Sequence, residues 1–269
     1  MKNIRSFLGA AGVAAVAALG MSTAALADDD GANKFGYSIT ISGTSDYMFR
    51  GISFTNEDPA FQPFIEFTYG NPNLTWYLDF WGSNIADPFG PFELDIYAGV
   101  RPVTGPVSWD FGILYYTYPN NSIGSPKACA LGYCADNEGD YIELKAAASI
   151  TPFTNFTTGA TFYYTPDQGN NYGETWTIEG NAAYTLPNFY MFTPVVSGVV
   201  GYTSGIGDSS PGLGQHDYTY WNAGLKLSVD KYFMDFRYWD TSIGKNAADG
   251  FDNDLADSRF VFTAGVNLP

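Results

Sequence analysis

The stretch Ser42 to Ser53, Ser-Gly-Thr-Ser-Asp-Tyr-Met-Phe-Arg-Gly-Ile-Ser, sets an acid (Asp46), a base (Arg50) and two glycines in close succession, the look of a compact functional motif. Its spacing argues against a catalytic pair. In an extended chain Asp46 and Arg50 share a face but stand roughly 13 Å apart, so each needs a partner from a neighbouring strand or from across an interior. Glu93 and Asp95 point the same way from one stretch, as the acid and base of a glycosidase could. A network of salt bridges in a polar interior accounts for them better.

Lipid hydrolysis by serine would need a base beside its nucleophile. His216, the only histidine, adjoins Asp217 and lies near Ser209 and Ser210 in a Gly/Ser-rich segment. No Gly-x-Ser-x-Gly elbow supports it, and a solvated loop histidine explains it as well. Cys129 and Cys134 are the only cysteines, and in an exported chain their short separation points to a local disulfide. A zinc site would need more ligands than that segment offers. Asp249, Asp252, Asp254 and Asp257 could hold a divalent cation, but their spacing matches no established calcium loop. No catalytic residue, cofactor or metal is expected.

The elements that would position these residues are strands. Residues 1–27 read as a signal peptide: Lys2 and Arg5, an apolar run from Phe7 to Leu19, and the small-residue site Ala25-Leu26-Ala27. Residues 28–35 form an acidic lead, and 36–269 the folded domain. Loss of Lys2 and Arg5 would leave the mature chain more negative than the −16 of the full sequence, which argues against nucleic acid as a partner. Beyond the leader no apolar run is long enough for a helical membrane span.

A period of two recurs from Tyr37 onward and predicts about twelve strands, the first running through Tyr47 and Phe49 to Arg50. The connections alternate in length. Short ones such as Gly70 to Asn73 and Pro102 to Pro106 alternate with long ones such as Gly51 to Pro59 and Pro119 to Gly139, the arrangement of an outer-membrane barrel. Rings recur on the apolar face near both strand ends: Tyr47, Phe49, Phe61, Phe92, Tyr115 and Trp176 toward the long loops, Tyr37, Tyr69, Trp76 and Tyr232 toward the short turns. Two aromatic belts flanking an aliphatic band suit a lipid bilayer.

The opposite face carries the charges, and the lumen-lining set expected from it is Asp46, Arg50, Glu66, Asp79, Glu93, Asp95, Arg101, Asp110, Glu143, Lys145, Glu179, Lys226, Asp235, Arg237 and Arg259. An outward Arg or Lys at the bilayer midplane would cost about 2–4 kcal/mol and an outward Asp or Glu less, so this one-sidedness separates a membrane barrel from a soluble sandwich. The long loops are rich in Asp and Glu, with Lys127 and Lys245 as their bases. An acidic mouth gathers cations and repels anions.

Ser45-Asp46-Tyr47-x-Phe49-Arg50-Gly51-Ile52-Ser53, an alternating second strand and Trp81-Gly82-Ser83-Asn84 resemble the proteobacterial family of TorF-type porins. The resemblance covers most of the mature chain and implies an outer-membrane protein with a pore function. The sequence thus leads to an all-β fold, a transmembrane antiparallel up-and-down β-barrel of about twelve strands with polar lumen and apolar exterior. Expected function is passive diffusion of small solutes, cation-preferring or neutral. Its partners would be outer-membrane lipid, small-molecule solutes and the barrel-assembly machinery. A non-conducting structural or adhesive barrel is the alternative, and a lipid-modifying barrel enzyme the third.

Overall fold

A computed structural model of the chain describes residues 32–86, 90–119, 139–167, 174–204, 217–244 and 253–269. Residues 1–27, read as a signal peptide, and Cys129, Cys134, Ser209, Ser210 and His216 lie outside the described residues.

The chain closes a 12-strand antiparallel barrel. Its staves are β1 (Lys34–Thr44), β4 (Ala60–Asn71), β5 (Leu74–Asn84), β6 (Phe92–Thr104), β7 (Val107–Thr117), β8 (Tyr141–Phe153), β9 (Phe156–Thr165), β10 (Thr175–Thr185), β11 (Thr193–Ser204), β12 (Tyr218–Val229), β13 (Tyr232–Thr241) and β14 (Arg259–Leu268). Each pairs with its neighbours in sequence, and β1 closes on β14 with Ile39 opposite Leu268 and Thr44 opposite Thr263. Closure leaves no open sheet edge, the requirement for backbone that spans lipid.

The short connections are tight because single residues take left-handed backbone: Gly105 (φ 59), Asn155 (φ 69) and Asp230 (φ 51) each sit between paired strands. At the long-loop ends of three hairpins an outward tyrosine donates to an acid just before the next strand. These bonds are Tyr115 to Asp140 (2.9 Å), Tyr164 to Glu174 (2.9 Å) and Tyr202 to Asp217 (2.8 Å). Each ring thus keeps its apolar body outside and its polar tip paired, the habit of aromatic belts at an interface.

The exterior is apolar as the alternation requires. Phe61, Trp76, Ile113, Trp176 and Phe260 are exposed, whereas Asp79, Asp110 and Glu143 on the other face are buried. The interior also holds many rings. Tyr77, Trp81, Tyr97, Tyr116, Tyr141 and Tyr163 are buried with Leu114 in one cluster, and Gly99 and Gly112 on neighbouring strands leave the space that Tyr77 fills.

Two expectations about the first strand are corrected. Lys34 and Phe35, assigned to the lead, already pair with Gly70 and Tyr69 as the start of β1. At its other end β1 stops at Thr44 and does not continue to Arg50. The chain turns inward and forms a small hairpin, β2 (Met48–Phe49) with β3 (Ile52–Ser53), before rejoining the wall at β4. Tyr47 and Phe49 are therefore not belt residues: they are 2% and 9% exposed inside the interior cluster. The physical reason is local. Arg50 (φ 49) and Gly51 (φ 84) both take left-handed backbone, which an extended stave cannot accommodate. Asp46 is fixed from inside the turn, accepting hydrogen bonds from the hydroxyls of Ser53 (2.7 Å) and Thr55 (2.8 Å).

Candidate functional site

The candidate site is the barrel interior at the level of this inward hairpin. Tyr47 packs on Trp81 of β5 with centroids 5.1 Å apart, and Phe49 on Tyr116 of β7 at 6.1 Å. Met48 reaches the far side, where it is buried with Trp239 of β13 and Val261 of β14. A side chain at Gly51 would collide with Thr241 of β13 and crowd Tyr220 of β12. The hairpin therefore crosses the interior and touches walls on both sides of it.

Charge anchors it twice. One guanidinium nitrogen of Arg50 donates to both carboxylate oxygens of Glu143 at 2.8 Å, with the Phe49 and Tyr163 rings at 4.8 and 4.9 Å. Glu143 also accepts from Tyr116 (3.1 Å) and Thr165 (3.0 Å), so its acceptor capacity is well used. Asp46 pairs with Arg259 of β14 at 2.9 Å, and Arg259 reaches Glu57 at 3.1 Å. Asp46 and Arg50, which cannot serve each other, thus find their partners on separate staves.

The remaining charges form distinct groups. Arg101 joins Glu66 (2.6 Å), Asp110 (3.5 Å) and Asp79 (3.8 Å), lies over the Tyr77 ring, and is linked through Asp110 to Lys145 at 2.9 Å. Across the barrel Arg237 binds both oxygens of Asp235 (3.0 and 3.1 Å), Asn222 (2.6 Å) and Ser197 (3.0 Å), while Lys226 sits 4.4 Å from the Phe233 ring. Glu179 accepts from Tyr220 at 2.6 Å.

Glu93 and Asp95 differ from all of these. Glu93 accepts from Tyr47 (3.2 Å) and Tyr118 (3.5 Å), and Asp95 from Tyr97 (2.5 Å). Among the described residues neither has a salt-bridge partner, and Glu93 Oε2 and Asp95 Oδ1 are buried with no hydrogen bond at all. Burial, together with the Glu93 and Asp95 carboxyls, pushes the Tyr47 hydroxyl well above the ordinary phenol range, so it remains a donor. Burial does the same to Tyr118, with Glu93 next in effect.

The sequence pointed to the charges but not to the hydroxyls that organise them. Tyr77, Tyr97, Tyr116 and Tyr220 all escaped it, although a signal existed: Tyr77 lies two residues from Asp79, and Tyr97 two from Asp95, on the same face. What the interior can do chemically is hold fixed charge and hydroxyl groups around whatever space the hairpin leaves. Among the described residues no group of three or more His, Cys, Asp or Glu is placed to hold a metal, and the proposed aspartate cluster lies partly outside them.

Known structures share this architecture at low identity. A KdgM porin in complex with disordered oligogalacturonate superposes with a TM-score of 0.50 at 9% identity, covering 86% of this chain and 98% of that one. A NanC porin gives 0.49 at 9%, over 86% and 99%. LpxR from Salmonella typhimurium gives 0.44 at 7%, over 86% and 99%. No curated protein matches the sequence. Identity this low speaks to the fold alone, a porin-like barrel. A family described as "Bacterial protein of unknown function (Gcw_chp)" matches residues 28–266, most of the chain, and the protein belongs to that family.

Proposed function

We propose that the protein resides in a bacterial outer membrane and forms a pore, as the resemblance to TorF-type porins also implies, and that it passes small solutes by passive diffusion with a preference for cations or neutral molecules. The observation that carries this reading is the partition of the barrel wall. An apolar exterior belongs to lipid, and a closed interior set with charge and hydroxyls belongs to water and polar solutes. Cation preference rests on Glu179, which no described base pairs, and on the exposed acids Glu57, Asp58 and Asp167 at the long-loop end. An acidic oligosaccharide of the kind bound by the KdgM porin would meet repulsion here.

The lumen-lining role of the inward charges belongs to the same proposal, and so does the narrowing of the passage by the β2–β3 hairpin. Because that hairpin touches opposite walls, a second reading has specific support: a barrel closed by its own hairpin, with a structural or adhesive role. Liposome swelling separates the two. The pore reading expects uptake of small neutral sugars and cationic amino acids, slower uptake of anionic ones, and a size cut-off that rises when residues 47–54 are replaced by a short glycine linker. Liposomes closed to every solute with the hairpin in place and opened by its replacement would favour the barrel closed by its hairpin; liposomes closed in both cases would contradict the pore reading.

A further inference from the structure

Glu93 and Asp95 lie two residues apart on β6, on the same face of the strand and 1% and 0% exposed. Among the described residues, every side chain that donates a hydrogen bond to them is a phenol: Tyr47 from the hairpin, Tyr97 from β6 itself and Tyr118 beyond β7. Tyr116 on β7 and Tyr141 and Glu143 on β8 also face the pair, and the base on the hairpin, Arg50, is committed to Glu143. Two bare carboxylates cannot share a dry site without a counter-charge. One proton held between them removes half the charge and supplies the donor that their surroundings lack.

We infer that Glu93 and Asp95 form a proton-binding site that holds one proton between them and, through the Tyr47 hydroxyl, ties the inward hairpin to the barrel wall. Three hydroxyls and an unsatisfied oxygen on each carboxyl carry this assignment. The sign of the pH effect follows from linkage. Burying two like charges together costs more than burying one, so the packed arrangement favours the protonated pair, and a loosened, hydrated one the doubly ionised pair. As pH rises the proton leaves to solvent, and the pair can be hydrated only where Tyr47 and Tyr118 now cover it. Tyr47 is the movable cover, since it belongs to the hairpin and not to a stave.

The hairpin amides report this without any assumption about transport. Tyr47 N–H donates to Thr55 Oγ1 at 3.0 Å, and Phe54 N–H to the Tyr47 carbonyl at 2.8 Å. Hydrogen exchange of the folded full-length barrel in lipid vesicles, expressed as protection factors to remove the intrinsic pH dependence, should show these two amides losing protection by about tenfold or more between about pH 6 and about pH 9. Wall amides of β6 and β7 should hold theirs. Glu93→Gln and Asp95→Asn, each leaving one neutral donor in the pair, should keep the hairpin protected at both pH values; heat-modifiability on a gel confirms that each variant folds. Wild-type protection that does not change with pH overturns the inference without any variant. So does a pH-dependent loss that persists in either folded variant. Failure of the pore reading would show instead as closed liposomes, with the exchange behaviour unaffected.

Discussion

At the scale of the residue, the interior is governed by whether each buried charge has a partner. Arg50 and Glu143 are both buried and joined by paired contacts of 2.8 Å. Such a pair adds little over an apolar replacement of both members, but removing one leaves the other uncompensated at a cost of about 3–5 kcal/mol. Arg50→Ala is therefore expected to destabilise the folded barrel by that order, read as a lower urea midpoint for unfolding from lipid vesicles. Arg50→Ala/Glu143→Leu should recover most of the loss, whereas a double variant as weak as the single one would show that the charge pair is not the cause. The same accounting distinguishes Glu93 and Asp95, where only hydroxyls are supplied.

At the scale of the element, alternation decides which face meets lipid. Ile113 is exposed on β7 beside buried Leu114, so Ile113→Arg should cost about 2–4 kcal/mol of barrel stability if it lies near the midplane, a difference measurable in the same unfolding experiment. An unchanged midpoint would remove that face from the lipid. For the hairpin, Gly51 combines φ 84 with close approach of Thr241 and Tyr220. Gly51→Val is expected to displace the hairpin at about 1–3 kcal/mol of backbone strain, with loss of hydrogen-exchange protection confined to residues 45–55; full retention of protection would contradict the packing described.

The staves were legible because burial on one side imposes a period of two and pins the register. Tyr218–Val229 begins and ends where the alternation places it. On β11, where Val195 and Val199 on one face are matched by Val196 and Val200 on the other, the sequence offers little alternation, and the strand begins at Thr193 with Met191 left exposed in the turn. The hairpin was hidden for a related reason. Tyr47 and Phe49 extend the apolar parity of β1 on paper, and period alone does not distinguish a ring facing lipid from one folded into an interior. The available cue was Gly51, a residue type that suits the left-handed backbone found there (φ 84). The inward tyrosines were obscured because the charged residues beside them dominate the pattern of that face.

At the scale of the whole molecule, the closed sheet supplies the wall, and residues 45–55 set what remains of the space within it. Strand number alone would give a wider passage than the hairpin leaves. On the proposed pore function, permeation and selectivity are then properties of the hairpin and of the acids around it, more than of the barrel's girth. Glu179→Gln should accordingly weaken cation preference, seen as a reversal potential shifted toward zero in a salt gradient. No shift would place Glu179 away from the ion path.

Planar-bilayer recording under a potassium chloride gradient, on the wild type and on the variant with residues 47–54 replaced by a short glycine linker, tests the central claim most directly. Discrete conductance steps with a cation-selective reversal potential are expected for the wild type, and steps several-fold larger for the shortened variant. Anion selectivity in the wild type, or silence from both proteins once folding has been verified, would contradict the account.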